Sequence, residues 1–490
     1  MLLADLLAGY HDDKGRPFSG EATGVAYDSR LVQPGNVFVA LKGTRVDAHD
    51  RLGDAVQQGA SAVVVDAAWR AAHPEDLGVP TVPVEAPRWV LSELAARFYG
   101  HPSEAFSVVG VTGTNGKTTT THLIEAILQT AGKTTGLIGT LGSRFAGGVV
   151  ETGHTTPLAL ELQGIFARMR RSAVDAVVME VSSHALDQAR VAHAAFDVGV
   201  FTNLTVDHLD YHGTLEAYGD AKAKLFEALN ATGRAVINRD DPAYARFVAA
   251  SAAPVLTYSA QGQEADLMAE DLSLHAGGSR WTLVTPWGRA AVSLRLPGLF
   301  NVSNALAAAG AALALGLDLE TVAKGLSQVG GVPGRVEVVT APDHPFSVLV
   351  DYAHTPDGLE NVLRTARGFT RGRLLVVFGC GGDRDASKRP MMGKVAAEGA
   401  DLVFLTSDNP RSEDPQAIMR QVAEGITSPY EAFVDRREAI HAAIRAARPG
   451  DVVVIAGKGH ETYQIIGDQT LAFDDREVAR EAIAERTVAR

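Results

Sequence analysis

The sequence has little of what marks secreted or membrane-embedded proteins. Cys380 is the only cysteine among 490 residues, so no intramolecular disulfide can form, which suits a reducing compartment. The longest nearly continuous apolar run, residues 305–317, is well short of the ~20 residues that span a membrane. The first residues, MLLADLLAGYHDDK, lack the basic region and the small-residue cleavage site of a signal peptide. We therefore expect a cytoplasmic protein without membrane insertion.

Positive charge is also scarce. Forty-five Lys and Arg residues against 58 Asp and Glu residues give a formal net charge of −13. An acidic chain has no global electrostatic reason to coat nucleic acid or an anionic bilayer, so no nucleic-acid partner is expected and any anionic ligand needs a local basic pocket. Hydrophobic residues make up 46% of the chain and charged residues 21%, which is ordinary for folded protein and excludes disorder.

The chain is too long for one core, because single cores stop growing at roughly 250–300 residues. Glycine and proline at residues 100–102 and 330–334 interrupt regular secondary structure and suggest two domain boundaries. From Phe106 onward, apolar strands alternate with longer helical segments, which is typical of a parallel sheet covered by helices. The sequence thus predicts an α/β fold with three domains: a small N-terminal α/β domain (1–100), a central P-loop domain with a parallel sheet (101–332) and a C-terminal Rossmann-like α/β domain (333–490).

A phosphate-binding loop is the most specific local motif. The segment GVTGTNGKTT, residues 110–119, follows an apolar strand and opens a helix. Its glycines let the backbone approach phosphate oxygens, Lys117 neutralises charge and the Thr118 hydroxyl can reach Mg²⁺. Val111 stands where the common P-loop has its first glycine. The alternative, a turn that only joins strand to helix, is disfavoured by the Gly-Lys-Thr-Thr ending.

This loop resembles the ATP loop of the Mur ligases, which make peptide bonds in peptidoglycan precursors, and of the related folylpolyglutamate synthetases. Further motifs along almost the whole chain resemble the Mur ligases that add the third residue of the stem peptide. Each is weak alone, and together they are highly specific. They are Asp28-Ser29-Arg30, Thr155-Thr156-Pro157, Glu180-Val181-Ser182-Ser183-His184, Asp207-His208-Leu209-Asp210, Asn301 to Ala305, Asp351-Tyr352-Ala353-His354, Asp408-Asn409-Pro410-Arg411 and Gly457-Lys458-Gly459-His460-Glu461.

The resemblance implies a site for ATP and two Mg²⁺ ions. The residues expected to bind ATP are Gly113, Thr114, Asn115, Gly116, Lys117, Thr118, Thr119, Asn301, Arg335 and Asp351. The expected metal ligands are Thr118, Glu180, His208 and Lys222, the lysine as a carbamate, which would supply the hard oxygen that Mg²⁺ prefers. The expected catalytic residues are Lys117, His208 and Lys222.

These metal ligands have simpler alternatives. Glu180 follows an apolar strand, where open α/β sheets place ligand-binding groups, but a lone acid there also suits a helix N-cap. His208 is equally well explained as a buried structural histidine, and Lys222 as an ordinary solvated lysine. Lys224, two positions on, lies on a different helix face and is the less favoured candidate for carbamylation.

Two further sets follow from the resemblance. The residues expected to bind the UDP-linked substrate are Tyr27, Ser29, Thr44, Arg45, Val46, His154, Thr155, Thr156, Ser182, Gln188 and Arg190. His154 stands where better-known members have asparagine, and the Asp28-Ser29-Arg30 segment alone would pass for a turn. The residues expected to bind the incoming amino acid are Arg384, Asp408, Asn409, Pro410, Arg411, Gly457 and Glu461. A dinucleotide loop at residues 379–384 is disfavoured, because Arg384 replaces its last glycine.

The implied activity is that of an ATP-dependent amide ligase acting on UDP-N-acetylmuramoyl-L-alanyl-D-glutamate and a diamino acid. ATP would phosphorylate the free carboxylate of D-glutamate, and the amine would attack the acyl phosphate. The motif Asp408-Asn409-Pro410-Arg411 has the form associated in the family with meso-diaminopimelate, whose distal carboxylate Arg411 can pair bidentately. L-Ornithine and L-lysine are the alternatives. A folylpolyglutamate-type ligase leaves the Asp28-Ser29-Arg30 domain unexplained, and a nucleotide-switched binding protein leaves the C-terminal motifs unexplained. A monomer is expected.

Overall fold

The computed structural model describes residues 1–43, 46–275, 277–341 and 343–488. Three sheets dominate the fold, and each follows the previous one along the chain. No sheet in the described ranges crosses residue 100 or residue 332, although the domain limits themselves remain a prediction. Within the same ranges, no helix has the length and apolar character needed to cross a bilayer.

The N-terminal domain is built on a small parallel sheet whose strands lie in chain order. Its valine-rich strands pack apolar side chains on both faces of the sheet. The strands are β1 (Gly24–Ala26), β2 (Asn36–Val39), β3 (Ala62–Asp66) and β4 (Thr81–Val84). The helices are α1 (Leu3–Leu6), α2 (Leu52–Gln57), α3 (Ala67–Ala72) and α4 (Pro87–Phe98), with 3₁₀ turns at Ser29–Leu31, Ala48–Arg51 and Pro102–Ala105.

The central domain contains an eleven-stranded sheet. Its strands are β5 (Ser107–Thr112), β6 (Thr135–Gly139), β7 (Gly142–Phe145), β8 (Gly148–Val150), β9 (Ala176–Glu180), β10 (Val198–Phe201), β11 (Arg234–Asn238), β12 (Val255–Ser259), β13 (Leu267–His275), β14 (Gly278–Thr285) and β15 (Gly288–Leu294). The spatial order is β15-β14-β13-β12-β11-β10-β5-β9-β6-β7-β8. The expected parallel sheet is confirmed from β6 to β13, and antiparallel strands that the sequence pattern did not predict extend both edges.

Helices cover both faces of this sheet. They are α5 (Lys117–Thr130), α6 (Ala159–Arg171), α7 (Ser183–Asp187), α8 (Leu209–His212), α9 (Leu215–Glu227), α10 (Tyr244–Ala250), α11 (Leu299–Ala314) and α12 (Leu319–Gln328). The buried alanines of α11 let this helix pack closely against β11 and β12. Strand β5 lies between β9 and β10, with Val111 opposite Glu180 and Thr112 opposite Phe201. The carboxyl ends of three parallel strands therefore meet beside the phosphate loop.

The C-terminal domain has a six-stranded sheet and a separate hairpin. The strands are β16 (Glu337–Val338), β17 (Ser347–Asp351), β18 (Leu374–Phe378), β19 (Leu402–Thr406), β20 (Tyr430–Phe433), β21 (Val452–Ala456), β22 (Tyr463–Ile466) and β23 (Gln469–Ala472). The order is β16-β17-β21-β18-β19-β20, parallel except for β16. Its helices are α13 (Pro356–Arg367), α14 (Lys388–Gly399), α15 (Pro415–Ala423), α16 (Arg436–Ala446) and α17 (Asp475–Val488).

Candidate active site

The phosphate loop is a close-packed turn between β5 and α5. A Cβ on Gly113 would lie 1.9 Å from Thr202 Oγ1, and one on Gly116 would lie 2.4 Å from Asn304 Oδ1, so both positions require glycine. Lys117 Nζ donates to the carbonyl oxygens of Gly113 and Thr114, each at 2.8 Å. Desolvation lowers the pKa of Lys117, and the nearby Glu180 carboxylate opposes that shift.

Glu180 faces this loop from the end of β9. Thr118 Oγ1 donates to Glu180 Oε1 over 3.0 Å, and Thr140 donates to the same carboxylate through its N–H (2.9 Å) and its hydroxyl (3.2 Å). A Cβ on Gly139 would come within 2.4 Å of Glu180 Oε1. Two hard oxygens 3.0 Å apart suit neighbouring ligands of Mg²⁺, whose bonds are about 2.0–2.1 Å long. This donor pair therefore fits Mg²⁺.

Lys222 points from α9 into the underside of the phosphate loop. Its side chain is 1% exposed, and Nζ donates to Gly113 O over 2.8 Å and lies 4.2 Å from the centre of the Tyr218 ring. Desolvation, together with the charge of Lys117, lowers its pKa well below the ordinary lysine value. Lys224 instead lies at the surface, paired with Asp187 at 3.1 Å. A solvated Lys222 is therefore excluded.

His208 lies at the rim of the same cavity. It is exposed, with a left-handed backbone (φ 54°), and its Nε2 lies 3.5 Å from Asp207 Oδ2, so the buried structural alternative does not hold. Among the described residues, no group of three or more His, Cys, Asp or Glu side chains is arranged to hold a metal ion.

Three residues outside the loop are expected to bind ATP, and two of them, Arg335 and Asp351, lie in the C-terminal domain. Arg335 Nη2 donates to Thr118 Oγ1 over 3.0 Å, and its guanidinium lies over the Tyr352 ring. Asp351 accepts from the backbone N–H groups of Val336 (2.7 Å) and Ala353 (2.8 Å), and burial raises its pKa. Asp351 thereby shapes the segment that carries Arg335, while it also borders a cavity of about 450 Å³ beside the loop.

Asn301 lies behind this cavity. Its side chain is 1% exposed, and Nδ2 donates to Pro297 O over 2.8 Å. Asn304, one turn further along α11, lines the cavity and donates to Asn301 Oδ1 over 3.3 Å. Of these two side chains, that of Asn304 lines the cavity, and Asn301 supports it.

Seven of the residues expected to bind the UDP-linked substrate line one of two cavities. Those lining a cavity of about 630 Å³ between the N-terminal and central domains are Tyr27, Ser29, Val46, Gln188 and Arg190. Thr155 and Ser182 line the cavity of the phosphate loop. Thr156 is buried and donates to Glu180 O over 2.9 Å, and His154 is exposed and borders neither cavity. Thr44 and Arg45 lie outside the described residues.

The residues expected to bind the amino acid lie together where the C-terminal domain borders the phosphate-loop cavity. This cavity measures about 560 Å³. Those lining it are Arg384, Asp408, Asn409, Arg411, Gly457 and Glu461. Pro410 is buried beside them. Arg411 Nη1 donates to Gly382 O over 2.7 Å, which anchors one end of the guanidinium. One cavity thus joins a phosphate loop to a set of side chains suited to an amino acid.

Family models match three successive parts of the chain. The Mur ligase family, catalytic domain, matches residues 21–99; the Mur ligase middle domain matches residues 111–312; and the Mur ligase, glutamate ligase domain, matches residues 334–459. Together they cover most of the chain. The chain belongs to the Mur ligase family.

Relatives that match almost the whole chain support the same family. The UDP-N-acetylmuramoyl-L-alanyl-D-glutamate–2,6-diaminopimelate ligase of Gloeobacter violaceus is 52% identical over 469 residues, covering 95% of this chain and 94% of the relative. The ligase of the same name from Geobacillus thermodenitrificans is 49% identical, with 94% of each chain covered. A solved 2,6-diaminopimelate ligase structure superposes with a TM-score of 0.71 at 36% identity over 99% of both chains. MurF from Acinetobacter baumannii, at 22% identity, a TM-score of 0.65 and coverage of 100% and 98%, shares the fold.

Sequence reasoning missed several side chains that this Mur ligase brings to the site. They are Thr140, Asn304, Tyr352, Asp357, Lys388 and Lys458. Lys458 and Tyr352 stand inside motifs already noted for their neighbours, so the motif itself was an available signal. Thr140 and Asp357 carry no such signal, because only the pairing of strands and domains brings them to the phosphate loop.

Proposed function

We propose that this Mur ligase joins meso-diaminopimelate to UDP-N-acetylmuramoyl-L-alanyl-D-glutamate with consumption of ATP. The observation that carries the proposal is the single cavity of about 560 Å³ that is lined both by Lys117 and Glu180 and by Arg384, Arg411 and Glu461. Phosphate chemistry and amino-acid recognition therefore lie within reach of one another. The relatives at about 50% identity carry this activity in their names.

The first step forms an acyl phosphate. A carboxylate oxygen of the D-glutamate attacks the γ-phosphorus of ATP, the bond to the bridging oxygen breaks and ADP leaves. Carboxylate and triphosphate repel each other, so cations must lower the barrier. We assign this role to Lys117 at the phosphate loop and Arg335, which reaches Thr118 from the C-terminal domain. Mg²⁺, held by Thr118 and Glu180 with His208 nearby, would neutralise further phosphate charge.

The second step forms the amide. An unprotonated amine of the diamino acid attacks the acyl carbon, phosphate leaves with the former carboxylate oxygen, and the nitrogen loses a proton. This step needs the amine held close to the acyl phosphate. We assign the two carboxylates of diaminopimelate to Arg384 and Arg411, since guanidinium groups pair with carboxylates bidentately, and the distal ammonium to Glu461.

We further propose that Lys222 is carbamylated. Carbamylation requires an unprotonated amine to attack CO₂, and the lowered pKa of this buried lysine favours that form. The product is an anionic oxygen group under the phosphate loop, which suits a second Mg²⁺. The long UDP-linked substrate would extend from the cavity at Ser29 and Arg190 to Thr155 and Ser182.

We also infer that the enzyme works as a cytoplasmic monomer. A cytoplasmic location would supply the ATP that the reaction consumes. ADP release, measured with UDP-N-acetylmuramoyl-L-alanyl-D-glutamate and each of meso-diaminopimelate, L-lysine and L-ornithine, tests the function. We expect ADP release only when both substrates are present, and fastest with diaminopimelate. ATP binding without ADP release under any of these conditions would refute the ligase.

A further inference from the structure

A buried lysine lies directly behind the amino-acid end of the cavity. Lys458 follows β21 between two glycines with positive φ, Gly457 (118°) and Gly459 (54°). A Cβ at Gly457 would lie 2.5 Å from Asp408 Oδ2, and one at Gly459 would lie 2.7 Å from Tyr352 Cβ. The loop is therefore pressed against its neighbours, and the Lys458 residue is 0% exposed.

The ammonium of Lys458 has defined partners. Nζ donates to Glu461 Oε2 over 2.9 Å and to Asn409 Oδ1 over 3.0 Å. Asn409 Nδ2 donates to the same Glu461 oxygen over 2.9 Å, while the N–H of Ile465 donates to Asn409 Oδ1 over 3.0 Å. Glu461 Oε2 thus accepts two hydrogen bonds. Within the described part of the chain, no residue donates to Glu461 Oε1.

We infer that Lys458 is a positioning residue for the amino-acid substrate. It holds Glu461 by one carboxylate oxygen, so that the other, Oε1, remains to accept the ammonium of the incoming diamino acid. Fixing the carboxylate before the substrate arrives lowers the entropy lost on binding. This inference rests on the proposed function, because it specifies how the same site recognises its amino acid.

The experiment compares Lys458→Met, Glu461→Gln and the double variant in steady-state kinetics. We expect K458M to raise KM for meso-diaminopimelate about tenfold or more while KM for ATP and for the UDP-linked substrate changes less than about twofold. In the E461Q background, K458M should raise KM for meso-diaminopimelate by less than about a further twofold, because the carboxylate that Lys458 orients is gone. Lys394→Met, on an exposed lysine of α14, is the matched control and should behave as wild type.

Folding is monitored by the thermal unfolding midpoint, because removing one member of a buried ion pair leaves an uncompensated charge. If K458M alone does not fold, the double variant compared with E461Q replaces it, and equal KM values for diaminopimelate are then expected. An equal rise in all three KM values, or a full tenfold effect of K458M in the E461Q background, would overturn the inference. A wild-type enzyme that releases no ADP with any diamino acid would instead refute the proposed function.

Discussion

Asn115 in the phosphate loop donates a hydrogen bond of 2.6 Å to the Asp357 carboxylate at the start of α13. The Thr205 hydroxyl reaches the same oxygen over 3.4 Å. Arg335 makes a second link, donating to Thr118. Both links join the phosphate loop to the C-terminal domain, so the position of that domain and the geometry of the nucleotide site depend on each other.

Replacing Asp357 tests this dependence. Asp357→Ala removes the acceptor for Asn115, and a hydrogen bond of about 1–1.5 kcal/mol predicts a rise in KM for ATP of about five- to tenfold. KM for ATP and for the diamino acid are measured at saturating UDP-linked substrate. Glu360→Ala, on an exposed residue of the same helix, is the control. An unchanged KM for ATP would show that the domain contact is irrelevant to nucleotide binding.

The phosphate loop and Glu180 show how much of the site could be predicted from the sequence. A strand, a glycine-rich loop and a Gly-Lys-Thr-Thr ending predict a phosphate site, and Glu180 after another apolar strand predicts a nearby ligand. The sequence does not reveal that β9 is the neighbour of β5, which sets the 3.0 Å contact between Thr118 and Glu180. Strand order depends on tertiary packing, so contacts between strands distant along the chain were not predictable.

The side of a helix that faces the cavity and the strands at the edges of a sheet were harder to predict from the sequence. Asn301 and Asn304 lie one turn apart on α11, and only the packing of this helix decides that Asn304 lines the cavity. The antiparallel strands β13 to β15 also escaped prediction, because alternating strands and helices suggested a parallel sheet throughout. The two-residue loop Pro286-Trp287, followed by Gly288 at the start of β15, was the local signal for a hairpin.

Carbamylation of Lys222 predicts a defined chemical product. Chemical trapping followed by mass spectrometry should find one added carboxyl group on Lys222, and Lys222→Ala should lose most activity, since the anionic oxygen would be lost. Lys224→Ala is the matched control, because Lys224 lies on the same helix but at the surface. A wild-type enzyme that is fully active and unmodified in bicarbonate-depleted buffer would contradict the proposal.

Asp12 predicts how the N-terminal domain responds to acid. Burial alone would raise its pKa, but hydrogen bonds from Arg16 and from the N–H groups of Thr81, Arg16 and Lys14 outweigh burial and lower the pKa to about 2. The charged form therefore stabilises the fold above the unfolded value of 3.8, by about 2 kcal/mol, and this contribution is lost as the pH falls towards 2.

Asp12→Asn should accordingly lower the thermal unfolding midpoint at pH 7. The difference in unfolding midpoint between wild type and variant should become smaller as the pH falls from 5 to 3, because protonation removes the stabilising charge of the wild-type carboxylate. Asp468→Asn, on an exposed loop residue, controls for the loss of one negative charge. A gap that stays constant over this pH range would mean that Asp12 stabilises the domain through its shape rather than its charge.

We propose that Arg411 sets the choice of amino acid. Its backbone is left-handed (φ 52°) and its N–H donates to Ile465 O over 3.1 Å, while Nη1 is held by Gly382 O. Nε and Nη2 have no acceptor among the described residues, so they remain for a carboxylate in bidentate geometry. Only diaminopimelate among the three diamino acids has a distal carboxylate. Lysine and ornithine forgo a charge-assisted hydrogen bond of about 1.5–3 kcal/mol.

We therefore expect kcat/KM for meso-diaminopimelate to exceed that for L-lysine or L-ornithine by about ten- to a hundredfold. Arg411→Ala should reduce kcat/KM for diaminopimelate by a similar factor and leave the low values for lysine and ornithine nearly unchanged, because these lack the group that the arginine binds. Arg420→Ala, at an exposed position of α15, should preserve the preference. If the wild-type enzyme uses lysine or ornithine more efficiently, Arg411 does not select a distal carboxylate, although the chain would still be a ligase.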